Sequence, residues 1–154
     1  MNIRILMLGK NKDDYLEEAV QDFIKKLRPF CKLELVYLKD EKVHTDVKKI
    51  LAVEAQRIRE QLQEKEFVVV LDEKGKGFST VQLHQQFSQW IDRGTGNIAF
   101  IIGSSHGLAA EIKAEADFLL SLSPLTMNHQ IVRIVLLEQV YRVFTLLRGM
   151  KYHK

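Results

Sequence analysis

Two rhythms of apolar and polar positions alternate along this chain. Five short runs are rich in Ile, Val and Leu: Ile3–Leu8, Leu33–Leu38, Phe67–Leu71, Ile98–Ile102 and Phe118–Leu122. Each has the length of a strand and is continuous enough to be buried on both faces. Between the first two, Leu16, Val20, Phe23, Ile24 and Leu27 fall at i, i+4, i+7, i+8 and i+11. That spacing is one face of an amphipathic helix, which Arg28-Pro29 ends. Val47, Leu51, Ala55, Ile58 and Leu62 form a second such face, with Asp46 placed as its N-cap. Ser79-Thr80-Val81-Gln82 has the pattern of a capping box, in which the serine and glutamine side chains satisfy each other's free backbone donors. The helix it opens carries Leu83, Phe87, Trp90 and Ile91 and stops near Gly94. A short helix is expected over Leu108–Glu115, and a long one from about Gln130 to Arg148.

Strand and helix in strict alternation predict an α/β fold, a mostly parallel sheet with helices on both faces, as a single domain over residues 1–154. The last helix departs from the simple pattern. Ile131, Val132, Ile134, Val135, Leu136, Leu137, Val140, Tyr141, Val143, Phe144, Leu146 and Leu147 take up most of its circumference. A helix apolar nearly all round needs cover on more than one side. The domain supplies one side; a second copy of the chain is the natural cover for the other, so a homodimer built on this helix is expected.

Composition changes little in this picture. The net charge of +3, from 23 Lys+Arg against 20 Asp+Glu, permits a nucleic-acid partner without demanding one. A single cysteine, Cys31, excludes an intramolecular disulfide and cannot build a zinc site alone. "MNIRILMLGK" reads as a strand rather than a signal peptide. Arg133, Glu138, Gln139 and Arg142 interrupt the last helix, so no membrane span is expected and the location is expected to be cytoplasmic.

Familiar phosphate signatures are missing: there is no Walker-type G-x-x-x-x-G-K-[ST] and no G-x-G-x-x-G. Gly103-Ser104-Ser105-His106-Gly107 does not fit the G-x-S-x-G of a hydrolase elbow either. Sites in open α/β sheets lie at the carboxyl ends of strands. Three loops there are candidates: Asp72–Phe78, with two lysines among glycines; Gly103–Gly107; and Ser123–His129. The stretch Ser121–His129 joins hydroxyls (Ser121, Ser123, Thr126) to apolar surface (Leu122, Leu125, Met127), the composition of a small-molecule pocket. Taken singly, Asp72–Phe78 fits a solvated loop better than a site, Gly103–Gly107 fits a tight turn equally well, and Ser123–His129 fits the approach to a capped helix slightly better. Glu138 and Arg142 are four apart on one helix face, and His129 and Arg133 share that spacing on another; on a covered helix such groups are interface contacts or parts of a site. The chain closes on "LLRGMKYHK", where two lysines flank Tyr152 and His153: cations for phosphate, a ring for base stacking and an imidazole that titrates near neutrality.

Taken together, "MNIRILMLGK", "VVLDEKGK", "FIIGSSHGL" and above all "LSLSPLTMNHQIVRIVLLEQVYRVFTLLRGMKYHK" resemble the ribosomal RNA large subunit methyltransferase H family. The resemblance spans essentially the whole chain. It implies a SPOUT-type α/β fold with a C-terminal trefoil knot, a homodimer, and transfer of a methyl group from S-adenosylmethionine to N3 of a pseudouridine in helix 69 of 23S rRNA in the ribosome. By resemblance, the cofactor contacts are Leu71, Gly103, Leu122, Ser123, Pro124, Leu125, Thr126 and Met127. The tail, residues 149–154, is implied to complete a site shared with the partner chain, placing Tyr152 and His153 against the target base. The chemistry needs N3 aligned with the methyl donor and relieved of its proton. His153 and His129 are the candidate bases, Arg142 a candidate for steadying negative charge on the base oxygens, and no metal is required.

Two positions depart from the family pattern: Ser104 stands where a second glycine usually follows Gly103, and Asn128 where a proline usually precedes the histidine. Ser104 is expected to weaken cofactor binding, and Asn128 to cap the last helix. Two other readings make distinct forecasts. A noncatalytic ribosome-associated RNA-binding protein would bind RNA but not S-adenosylmethionine. A flavodoxin-like nucleotide-binding protein would be a monomer.

Overall fold

A computed structural model describes residues 1–152. Five strands, β1 (Asn2–Leu8), β2 (Lys32–Leu38), β3 (Phe67–Gly77), β4 (Asn97–Ile102) and β5 (Phe118–Ser121), form one parallel sheet in the order β2-β1-β4-β3-β5. Alternate residues of the central strands face opposite ways, and both faces are covered. Ile3, Ile5, Met7, Val69, Ile98, Phe100 and Ile102 pack under α1 (Asp14–Leu27), α3 (Thr80–Asp92) and α5 (His129–Leu147). Leu6, Leu8, Val70, Ala99 and Ile101 pack on the other side with α2 (Val47–Arg59) and the short α4 (Ala110–Glu115).

The local signals act as their chemistry dictates. Ser79 and Gln82 close their capping box, Asp46 accepts from the Lys48 N–H, and Asn128 accepts from the Gln130 N–H at 2.8 Å. Asn128 is thus the N-cap of α5, as expected of a residue whose side chain reaches the second free amide. Three expectations need correction. Residues Asp72–Gly77 are not a plain loop: after an irregularity β3 returns, so that Leu120 is paired with Leu71 and again with Lys76, and Ser121 with Gly77. The buried stripe of α2 is Ile50, Glu54, Ala55 and Ile58, while Val47 is 46% exposed and Leu62 lies beyond the helix. The hydrophobic pattern missed this because a carboxylate occupies one of the inward positions.

The third correction concerns α5, which lies between α1 and α3 against the sheet; its Leu136, Leu137, Val140, Val143 and Phe144 join the core of their own chain. Most of its apolar surface is therefore covered without a partner. What remains outward is a narrower strip: exposed Ile131, then half-buried Val135, Glu138 and Arg142, at i, i+4, i+7 and i+11. Among the described residues no helix is long and apolar enough to cross a membrane.

Candidate functional site

At the carboxyl ends of β3, β4 and β5 three loops surround a cavity of about 400 Å³. Leu71, Ile102, Leu120, Leu122, Met127 and Val132 give it apolar walls. Gly103, Ser123, Leu125 and Thr126 complete its rim, and His129 stands at its edge. Seven of the eight sequence-assigned cofactor residues line this one space: Leu71, Gly103, Leu122, Ser123, Leu125, Thr126 and Met127. Pro124 does not; it is exposed and shapes the loop instead.

The loops hold one another. A Cβ on Gly103 would stand 2.5 Å from the Gly107 carbonyl oxygen, so only glycine lets the loop after β4 fold back on itself. Gly107, at φ +82°, makes that turn and returns its N–H to the Ser104 carbonyl. Gly75 is as tightly placed, since a Cβ there would lie 2.7 Å from the carbonyl carbon of Leu119. The loop after β5 is pinned by Ser121, whose hydroxyl donates to the Ser123 carbonyl, and by Thr126, whose hydroxyl donates to Glu73 at 2.9 Å. Asp72 is ion-paired to Lys113 of α4. Burial works to raise its carboxyl pKa, but Lys113 and the Lys74 N–H outweigh it, and the group stays below its ordinary range. Lys113 and Val132 were not legible as cavity residues, because neither belongs to a loop with any compositional signal.

Ser104 turns its hydroxyl away from this cavity. It donates to Oε2 of Glu54 at 2.8 Å, and Glu54, 2% exposed, also takes the Glu41 N–H. A second cavity, of about 750 Å³, opens there at the ends of β1 and β2 and shares Ser104, Ser105, His106 and His129 with the first.

The four candidate catalytic residues fall in different places. His129 sits where the two cavities meet. Its burial, and then the charges of Arg133 and Lys12, lower its pKa from the ordinary histidine value, which favours the neutral imidazole. Arg133 does not pair with it. That guanidinium is fully buried and donates to the carbonyls of Leu8 and Gly9 and to the Asn11 side chain, all within 2.8 Å. Arg142 and Tyr152 are elsewhere. At about 1.5 Å of rise per residue, Arg142 is about 20 Å from His129 along α5. There it pairs with Glu138 and lies 4.7 Å from the Tyr152 ring centroid, while Tyr152 meets Tyr141 edge-on at 4.8 Å. Gly149, at φ +63°, ends the helix and turns the tail back toward it, with the Met150 N–H reaching the Thr145 carbonyl. His153 lies outside the described residues. Among the described residues no group of three or more His, Cys, Asp or Glu side chains is placed to hold a metal ion.

Residues 1–153 of the chain match the family model described as "Predicted SPOUT methyltransferase". The chain belongs to the SPOUT methyltransferase family. Relatives extend this along its full length. It is 38% identical to the ribosomal RNA large subunit methyltransferase H of Streptococcus equi subsp. equi (strain 4047) and 36% identical to that of Streptococcus pneumoniae (strain CGSP14), with 100% of each chain covered. Solved structures share the fold at low identity. A "Probable Methyltransferase" from Bordetella pertussis Tohama I has a TM-score of 0.57 at 12% identity, covering 93% of this chain and 96% of that one. A "probable methylase family protein" from Haemophilus influenzae Rd KW20 has a TM-score of 0.56 at 13% identity, covering 96% of this chain and 66% of that one. For this SPOUT methyltransferase the cavity at β3, β4 and β5 is accordingly the candidate active site.

Proposed function

We propose that this SPOUT methyltransferase acts on ribosomal RNA, transferring a methyl group from S-adenosylmethionine to N3 of a pseudouridine in helix 69 of the large-subunit RNA. The observation that carries the reading is the convergence of Leu71, Gly103 and the Leu122–Met127 loop on one cavity. The full-length relatives named as large-subunit rRNA methyltransferases supply the substrate class.

The cavity suits the cofactor. Its volume falls in the range of small-molecule sites, and its apolar walls alternate with backbone groups and hydroxyls. Leu71, Gly103, Leu122, Ser123, Leu125, Thr126 and Met127 would hold S-adenosylmethionine, which when bound supplies an electrophilic methyl group. Gly103 and Gly107 keep the loop after β4 compact. Glu73 fixes the Thr126 hydroxyl, and with it the rim of the cavity. His129, at the junction of the two cavities and with burial favouring its neutral form, would take the N3 proton of a base presented there.

The separation of Arg142 and Tyr152 from this cavity supports a homodimer in which the tail of one chain, including His153, completes the site of the other. The outward strip Ile131, Val135, Glu138 and Arg142 on α5 is the surface such a dimer would bury. In that arrangement Arg142 would steady negative charge on the base oxygens and Tyr152 would stack on the base. The C-terminal trefoil knot implied by the family resemblance belongs to the same reading. The enzyme would act in the cytoplasm, on RNA within ribosomes or their subunits.

Incubation of the purified protein with methyl-labelled S-adenosylmethionine and ribosomes lacking this modification tests the reading. Label on a single helix 69 pseudouridine is the expected result. A dimer that binds ribosomes but transfers nothing would sink it.

A further inference from the structure

The second cavity lies beside the proposed cofactor site, and its walls are charged and firmly built. Lys10 and Lys12 project from the β1–α1 loop, and Lys39 and Lys42 from the β2–α2 loop. Three carboxylates share the space, but two are turned to other work. Glu54 is occupied by the Glu41 N–H and the Ser104 hydroxyl. Glu41 takes the N–H groups of Lys42 and Val43 and an ion pair from Arg57 at 2.7 Å. Asp40 meets Lys42 at 3.7 Å. Among the described residues, Lys10, Lys12 and Lys39 have no carboxylate partner.

Both loops are anchored from below, so their cations are presented rather than trailing. Arg133 grips the Leu8 and Gly9 carbonyls and Asn11, Gln130 accepts the Lys12 N–H at 3.1 Å, and Asn11 donates onward to Glu17. Arg57 holds the Lys39 carbonyl at 2.8 Å. Arg133 also brings a buried positive charge under the loop without an ion-pair partner among the described residues, reaching Glu17 only through Asn11 and Tyr37. Burying such a charge against carbonyls is costly. An anion docked above the loop would be attracted by it as well as by the lysines. Among the described residues no exposed Phe, Tyr or Trp lines the cavity; its exposed rings are the imidazoles of His44 and His106, so the lysines dominate what it offers a nucleic acid.

We propose that this basin binds RNA backbone phosphates, holding the strand beside the methylated nucleotide on the same chain that binds the cofactor. The proposal rests on the rRNA methyltransferase reading above and gives that substrate its footing. Ser104, Ser105, His106 and His129 form the shared wall, so a strand seated on the lysines leads directly to the edge of the cofactor cavity. Contacts to phosphate position a substrate without reading its sequence.

The test is the salt dependence of binding between the dimer and a pseudouridine-containing helix 69 hairpin, alongside methyl transfer to ribosomes. Lys10→Gln, Lys12→Gln and Lys39→Gln are each expected to lower the slope of log affinity against log salt by about 1. Combined, they should weaken hairpin binding at least about tenfold at moderate salt and raise KM for RNA far more than they lower kcat. S-adenosylmethionine affinity should stay unchanged, and Lys→Arg at the same positions should restore binding. Lys32→Gln and Lys65→Gln, at the opposite end of the sheet, serve as controls and should leave the slope alone. An unchanged slope in the triple variant, with methyl transfer intact in the wild type, overturns the phosphate site and leaves the enzyme reading standing. A wild-type chain that neither binds nor methylates RNA overturns both.

Discussion

The Ser104 hydroxyl donates to one oxygen of Glu54 at 2.8 Å, and the other oxygen accepts the Glu41 N–H at 3.0 Å. One buried side chain therefore ties the loop after β4, a wall of the cavity at the ends of β3, β4 and β5, to the loop after β2, which carries basic residues. Glu54→Ala would leave a buried N–H and a hydroxyl unpaired, a loss of about 2 kcal/mol in urea unfolding. A double-mutant cycle with Ser104→Ala should return a coupling of about 1 kcal/mol. Zero coupling would mean that Ser104 is only a spacer.

Three glycines separate steric need from mere flexibility. Gly103→Ala drives a methyl into the Gly107 carbonyl and Gly75→Ala drives one into the β5 backbone, whereas the corresponding site on Gly77 is open. Both tight variants should lose about 2 kcal/mol or more. They should also bind S-adenosylmethionine at least about tenfold less well in calorimetry, since the cavity rim must move. Gly77→Ala should be close to neutral in both measurements.

Arg133 serves as a buried fork, and lysine cannot copy it. Arg133→Lys is expected to cost about 3 kcal/mol, because one ammonium cannot reach the Leu8 and Gly9 carbonyls and Asn11 with the same geometry. Chemical denaturation gives the magnitude. Proton exchange of the Lys10–Lys12 amides would show whether the β1–α1 loop loosens first.

The depressed pKa of His129 has a defined sign. A histidine whose folded pKa lies below its unfolded value contributes stability that is present above the unfolded pKa and lost as pH falls through the folded one. His129→Gln should therefore flatten part of the acid side of the stability profile. If His129 is the base, log kcat should fall on an acid limb displaced below that of an ordinary histidine, and the substitution should remove that limb along with most of the rate.

The proposal that two chains share each site makes a quantitative forecast. Mixing an inactive Tyr152→Ala protein with an inactive Gly103→Ala protein, then allowing the chains to exchange, should restore roughly a quarter of wild-type activity. Half of the randomly mixed dimers are hybrids, and each hybrid has one unblemished site. No recovery after verified exchange would confine each site to one chain.

The fold was legible because its signals are local: runs of Ile and Val, the Ser79–Gln82 box, the Asp46 and Asn128 caps. That Leu71, Gly103 and residues of the Leu122–Met127 loop would meet at one cavity followed from the resemblance, and composition pointed only to the strand ends. What escaped the sequence was inward-facing polarity. Glu54 and Arg133 look like ordinary helical charges, and no spacing rule says that one will be buried under Ser104 and the other under the Leu8 carbonyl. The return of β3 at Lys76 was hidden for a related reason. "DEKGKG" has turn composition, and its pairing with Leu120 depends on a strand more than forty residues later.

The placement of α5 bears on how the chain acquires its shape. The layer beneath α1 and α3 is filled by Leu136, Leu137, Val140, Val143 and Phe144, which belong to the last element in chain order. During synthesis that layer must wait, open and apolar, until nearly the whole sequence has emerged. Contacts between segments so far apart are slow to form, because loop closure must precede the burial that rewards it. A chain cut within α5 would lack core residues, so a prematurely ended product would be unstable. Proofreading of this kind requires no dedicated device; it follows from placing the keystone last.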